Sequence, residues 1–212
     1  MKVAYFAESP ADQAALTIIT ESVLGRKSEP VIYGGLRHRG WPTVAKVLPA
    51  VLKELHYRTD AGGFVFIVDS NGAPPHLSSH DNPSARDPEC RLCELRRIAE
   101  EALRQVRPRA GQPFMKIALG LAVPTIEAWL LCGVNSRVTE AAWINGLKES
   151  RGRMPYTKGE LKQQLYGTSH PSLATETEKM KVAATRLCQN LDNVESLFPH
   201  GFGALLKSLR SW

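Results

Sequence analysis

The chain has 212 residues, 43% apolar and 23% charged, a balance that suits a globular fold with one sizeable core and excludes a disordered polyelectrolyte. No apolar run approaches the ~20 residues needed to span a bilayer, and the stretch from Val3 to Ala7 is too short for a signal-peptide core, so a cytoplasmic location without membrane insertion is expected. Four cysteines do not make a disulfide framework, and a net charge of +6 favours a polyanionic partner as readily as it favours mere solubility.

The first strand is expected at Val3 to Ala7, ended by Glu8. Ser9 then stands at a helix N-cap with Pro10 behind it, Leu16, Ile19 and Val23 recur at helical spacing, and Gly25 provides a stop. Asp12 falls at the third helical position, where it suits a capping role as well as a site role. Val31 to Tyr33 reads as a second strand, followed by a basic loop holding Arg37, Arg39 and Trp41. That loop fits a nucleic-acid backbone with Trp41 stacked on a base, and equally fits a Trp41 packed on the next helix. Pro42 opens this helix, whose apolar stripe is Val44, Val47, Leu48, Val51, Leu52 and Leu55.

Phe64 to Val68 is an uninterrupted apolar run of the kind found in buried parallel strands, and it ends abruptly in Asp69, Asn71 and Gly72. An Asx-type turn is the ordinary reading of that ending. The polar, proline-bearing loop from Ser70 to Arg86 is longer than a usual strand-to-helix connection. Asp87-Pro88 then caps a third helix with Leu92, Leu95, Ala99, Ala102, Leu103 and Val106 on its buried face. Lys116 to Val123 is a fourth strand, and Pro124 starts a helix that holds Glu127 in its first turn. Four strands alternating with four helices imply an α/β protein with a mostly parallel sheet of about four strands flanked by helices. Residues 134–212 read as a helical C-terminal elaboration packed on the core of an α/β domain spanning 1–133.

Charge is unevenly spread: residues 1–25 carry net −2, residues 59–90 net −4, and residues 26–58 net +5. Glu8, Asp69, Asn71 and Glu127 all follow strands, and in open α/β sheets ligands bind just outside the carboxyl ends of the strands. Carboxylates gathered there repel one another unless they share a cation, and a hard ion such as Mg²⁺ takes one or two carboxylates together with waters and a phosphate oxygen. A second group, His76, His80, Cys90 and Cys93, has the spacing H-x₃-H-x₉-C-x₂-C, which reads as a Cys₂His₂ zinc site or as solvated histidines beside core thiols.

Three stretches carry a resemblance to a family. Glu8-Ser9-Pro10-Ala11-Asp12 resembles the EGxTE-type opening of TOPRIM domains, Val68 to Gly72 their DxD segment, and Ile126-Glu127-Ala128-Trp129-Leu130-Leu131 the IEAWLL signature of small bacterial TOPRIM-like proteins often found beside an ATPase. The resemblance implies a Rossmann-like TOPRIM fold, Mg²⁺ or Mn²⁺ as cofactor, and nuclease chemistry on DNA or RNA in a bacterial (antiviral) defence or repair system. It assigns catalytic roles to Glu8, Asp69 and Glu127, with Asp12 and Asn71 completing the metal site. Ser9 stands where the family has Gly, Asp12 where it has Glu, Asn71 where it has Asp, and Cys132-Gly133 where a further acid is expected. These departures leave a second expectation open: a non-catalytic TOPRIM-like module that partners an ABC/SMC-like ATPase.

Overall fold

The computed structural model describes residues 1–33, 41–111, 113–149 and 154–212. The first two-thirds of the chain runs β1 (Lys2–Phe6), α1 (Pro10–Leu24), β2 (Glu29–Pro30), α2 (Trp41–Arg58), β3 (Gly63–Asp69), α3 (Arg91–Arg104), β4 (Lys116–Ala122) and α4 (Ile126–Leu130). The strands form one sheet in the order β2-β1-β3-β4, and every pair is parallel.

Right-handed crossovers dictate the layers. The chain steps one way from β1 to β2 through α1, then the other way to β3 and β4 through α2 and α3. Accordingly α2 and α3 pack together on one face, while α1 lies on the other. The connection reverses direction between β1 and β3, which makes the crevice above their carboxyl ends the topological switch point of the sheet. The central strand β3 is buried from Gly63 to Val68, and Phe66 meets Phe6 of β1 edge to face with ring centroids 4.8 Å apart.

The C-terminal segment supplies α5 (Glu140–Lys148), α6 (Lys158–Tyr166), α7 (Leu173–Leu187), α8 (Leu191–Leu197) and α9 (Phe202–Arg210). α7 lies along α1, and α9 packs on both β4 and α1, so these helices complete the layer on the α1 face. Gly120 in β4 permits this approach: a Cβ there would sit 3.1 Å from Leu205 Cβ and 3.2 Å from Ile67 Cγ2. Trp129, fully buried, packs edge to face on Phe202 at 5.0 Å. The buried carboxylate of Glu140 accepts the N–H groups of His200 and Gly201, at 2.8 and 3.0 Å, and so closes the start of α9.

Three local expectations are corrected. The second strand occupies Glu29–Pro30 rather than Val31 to Tyr33; Val31 still donates to Val3 O at 2.9 Å, but Ile32 is 96% exposed and Tyr33 folds back to donate to Tyr5 O. A proline at this position is tolerated because the strand is at the sheet edge. The third helix begins at Arg91 with Cys90 at its N-cap, because Asp87 spends its carboxylate on the Glu89 N–H in a turn. The helix after β4 begins at Ile126, and Pro124 precedes its N-cap residue Thr125.

Candidate functional site

β1 hands its chain to α1 through Glu8 and Ser9. Ser9 is a working N-cap: its Oγ accepts from Asp12 N at 3.1 Å, and Asp12 Oδ2 accepts from Ser9 N at 3.0 Å. That reciprocal pair fixes the first turn and turns Asp12 toward the strand ends. β3 ends at Asp69, and Ser70 to Ala73 makes a tight turn closed by Ala73 N to Ser70 O at 2.8 Å. Asn71 and Gly72, its two central residues, have φ of +49° and +87°. Positive φ at both positions is the type I′ signature, for which Asn-Gly is the favoured pair. Asn71 is therefore explained by the turn whatever else it does. β4 leads into α4, where Glu127 is buried near the helix start.

Glu8, Asp12, Asp69, Asn71 and Glu127 line one cavity of about 500 Å³ at the carboxyl edge of the sheet. Burial and then mutual repulsion set the electrostatics of these acids. Burial pushes Asp12 up to about 7, helped by the charges of Glu127 and Glu8 and opposed by the Ser9 hydroxyl. Asp69 is held well above the usual carboxylate range, first by burial and then by Glu8, Glu127 and Asp12, while Lys158 pulls it down. Carboxylates this mutually repelled fit a bound hard cation, which removes the repulsion. Thr125 also lines the cavity, and its buried Oγ1 has no hydrogen-bond partner among the described residues.

The remaining wall comes from residues that pattern reading overlooked. Lys158, Lys162 and Tyr166 stand at i, i+4 and i+8 on one face of α6, and all three line the cavity with Glu176 of α7. Tyr166 donates its hydroxyl to Glu127 Oε1 at 3.2 Å, and Lys162 Nζ stands 4.0 Å from the same oxygen and 3.9 Å from Glu176 Oε1. Burial, followed by Glu127 and Asp12, keeps the Tyr166 phenol protonated and able to donate. The i, i+4, i+8 spacing was the available signal. Arg91 braces Asp69: its Nη1 donates to Asp69 O at 2.6 Å, and its guanidinium lies 5.3 Å from the ring centroid of Trp41. Trp41 is partly buried at the start of α2, packed against the core with Arg91 over its ring. Arg37 and Arg39 lie outside the described residues.

The four residues of the sulfur-bearing group come together where the Ser70–Cys90 segment meets the start of α3, and they form a group that can hold a metal ion. One ligand atom from each of His76, His80, Cys90 and Cys93 lies within 4.8 Å of all the others. Cys132 and Cys188 are half-buried against the core and remain apart from this group.

Among the described residues no helix is long and apolar enough to cross a membrane. Comparison of the chain with protein-family models, curated proteins and solved structures gives no match. Fold and site alone thus define its class: a parallel α/β protein with an acid-lined crevice at the switch point of its sheet.

Proposed function

We propose that the chain is a divalent-metal-dependent nuclease of the TOPRIM type, hydrolysing phosphodiester bonds of DNA or RNA with Mg²⁺ or Mn²⁺. One observation carries this reading. Acids separated by more than a hundred residues, Glu8 and Glu127 among them, line a single crevice with Asp12 and Asp69 at the switch point of the sheet. The donor set is all oxygen, as a hard dication requires, and the sulfur-bearing group takes no part.

A bound dication supplies charge to neutralise a phosphate oxygen and to polarise the phosphorus centre. Glu8, Asp69 and Glu127 are the carboxylates that would hold it, with Asp12 beside them. Tyr166 fixes one oxygen of Glu127, and Arg91 fixes the backbone of Asp69, so both ligands are oriented before an ion arrives. Lys158 and Lys162 present positive charge from α6 beside the acids and would attract a phosphate group to the crevice. Arg37 and Arg39, outside the described residues, add to the positive charge of the chain, which suits a nucleic-acid partner.

The test is a cleavage assay on single-stranded and duplex DNA and RNA with Mg²⁺ or Mn²⁺. Cleavage that requires the ion and is lost in Glu8→Ala and Asp69→Ala supports the reading; cleavage that survives both substitutions refutes the site. A second reading, a binding module docked on an ABC/SMC-like ATPase in a defence or repair system, is favoured by one feature: Lys158 and Lys162 already offset part of the acid charge without an ion. Calorimetric titration separates the two, since the module has no need to bind Mg²⁺ or Mn²⁺.

A further inference from the structure

We propose that His76, His80, Cys90 and Cys93 bind one structural zinc ion, which ties the long Ser70–Cys90 segment to the start of α3. Two of its contacts have the spacing of a tetrahedral site, and one ligand atom from each residue lies within 4.8 Å of the others. His76 Nδ1 lies 3.6 Å from Cys90 Sγ and 3.5 Å from Cys93 Sγ. Zinc bonds of about 2.3 Å to sulfur and 2.0–2.1 Å to nitrogen, set at a tetrahedral angle, place the two ligand atoms roughly 3.5–3.6 Å apart. Two edges of the coordination tetrahedron are therefore already formed.

The hydrogen bonds around His76 select its ligating nitrogen. His80 Nδ1 lies 3.4 Å from the Leu77 N–H; a neutral His80 that ligates through Nε2 carries its proton on Nδ1, so this long contact gives way when the ion binds. His76 Nε2 lies 3.2 Å from Asp81 Oδ1 and 3.1 Å from Arg96 Nη1; with the ring proton on Nε2 and given to Asp81, Nδ1 is the ligand. Asp81 is in turn held by Arg96 Nη1 at 2.7 Å. A carboxylate behind a ligating imidazole is the usual outer shell of a zinc site. Charge also closes: two thiolates and two neutral imidazoles cancel the two positive charges of zinc, which a buried site demands. His76 is 2% exposed, both cysteines are buried and His80 is 9% exposed, which leaves no open coordination position of the catalytic kind.

The sequence position explains what the ion does. Between Ser70 and Cys90 the regular structure is limited to the short 3₁₀ turns Ser78–Asp81 and Pro83–Ala85. A segment of this length without a strand or α-helix of its own gains little from core burial, and a metal cross-link replaces it. Cys90 is the N-cap of α3 and Cys93 lies one turn on, so the ion grips the helix at its first turn. Arg91 stands between the two cysteines and donates to the carbonyl of Asp69. The ion thereby holds the Arg91 clasp on Asp69, a residue of the acid crevice; this last link rests on the proposed function, whereas the zinc site itself does not.

The test is metal analysis of the full chain purified under reducing conditions from zinc-supplemented cells. One equivalent of zinc is expected in the wild type and in Asp69→Ala, and none in Cys93→Ser. Asp81→Asn is expected to weaken zinc binding by about 10–100-fold in competition with a chromophoric chelator. If Cys93→Ser does not fold, cobalt(II) loaded into the wild type decides, since two thiolate ligands give thiolate-to-metal charge-transfer absorption. A folded, reduced wild type without zinc, zinc retained by Cys93→Ser, or a cobalt spectrum lacking those bands overturns the proposal. A zinc-loaded protein with no cleavage activity upholds the zinc site and counts only against the nuclease reading.

Discussion

Replacing Asp12 with Asn asks whether the acids of the crevice converge. The Asp12 carboxyl is raised from 3.8 to about 7, chiefly by burial and then by Glu127 and Glu8. A raised acid adds stability that is complete below its unfolded pKa and is lost as pH climbs through the folded one. Free of divalent ions, the wild type should therefore lose stability between pH 3.8 and about 7 on account of this group. At about 1.36 kcal/mol per pKa unit, roughly three units make about 4 kcal/mol for an isolated group, and sharing the repulsion among neighbours reduces this to about 2 kcal/mol. Asn cannot ionise, yet its amide oxygen can still accept the Ser9 N–H that closes the capping box. Asp12→Asn should thus match the wild type in acid and exceed it near pH 8 by about 2 kcal/mol, or roughly 4–8 °C in melting temperature for a chain of this size. Mg²⁺ should reverse the order: at a hundredfold excess over its dissociation constant it adds about 2.7 kcal/mol to the wild type, and less to the variant. The assay is thermal or urea unfolding in EDTA and in Mg²⁺ across that pH range. A gap that does not change with pH, or no response of the wild type to Mg²⁺, refutes the reasoning.

Other residues give sharper structural tests. Gly201→Ala places a Cβ 2.0 Å from Leu121 O, a backbone atom that cannot step aside, so unfolding by denaturant should show a loss of about 3 kcal/mol or more. Glu140→Ala leaves the His200 and Gly201 N–H groups without their acceptor and should cost about 2–5 kcal/mol. Burial raises Glu140 from 4.5 to about 7, against the pull of those two N–H groups, so its contribution is complete below pH 4.5 and declines toward about 7; the penalty of Glu140→Ala, followed by urea unfolding, should be larger near pH 5 than near pH 8. Tyr166→Phe removes the hydroxyl that orients Glu127 and should weaken Mn²⁺ binding, measured by calorimetry, by about tenfold with little change in melting temperature.

What could be read from the chain was the part governed by rules with few exceptions. Uninterrupted apolar runs such as Phe64 to Val68 mark parallel strands, strand ends mark the ligand edge, and so Glu8, Asp69 and Glu127 could be placed beside one another from their positions alone. Asp12 could be read as a cap and as a site residue, and in the structure its carboxylate caps α1 while its side chain lines the crevice. Asn71 was harder, because a departure from an acidic motif and a type I′ turn ask for the same residue. The α6 wall stayed hidden for a different reason. Lys158, Lys162 and Tyr166 carry the marks of a solvated amphipathic face, and only the packing of α6 against α4 and α7 turns that face inward. The second strand is short because the edge pairing with β1 ends at Val31, whose N–H bonds Val3 O, and Ile32 beyond it is exposed.

A crystal soaked in Mn²⁺ and measured for anomalous scattering tests the central claim most directly. The account predicts a peak in the crevice within coordination distance of Asp69 and of at least one of Glu8, Asp12 and Glu127, lost in a crystal of Asp69→Ala. Manganese bound elsewhere at full occupancy with none in the crevice would contradict it.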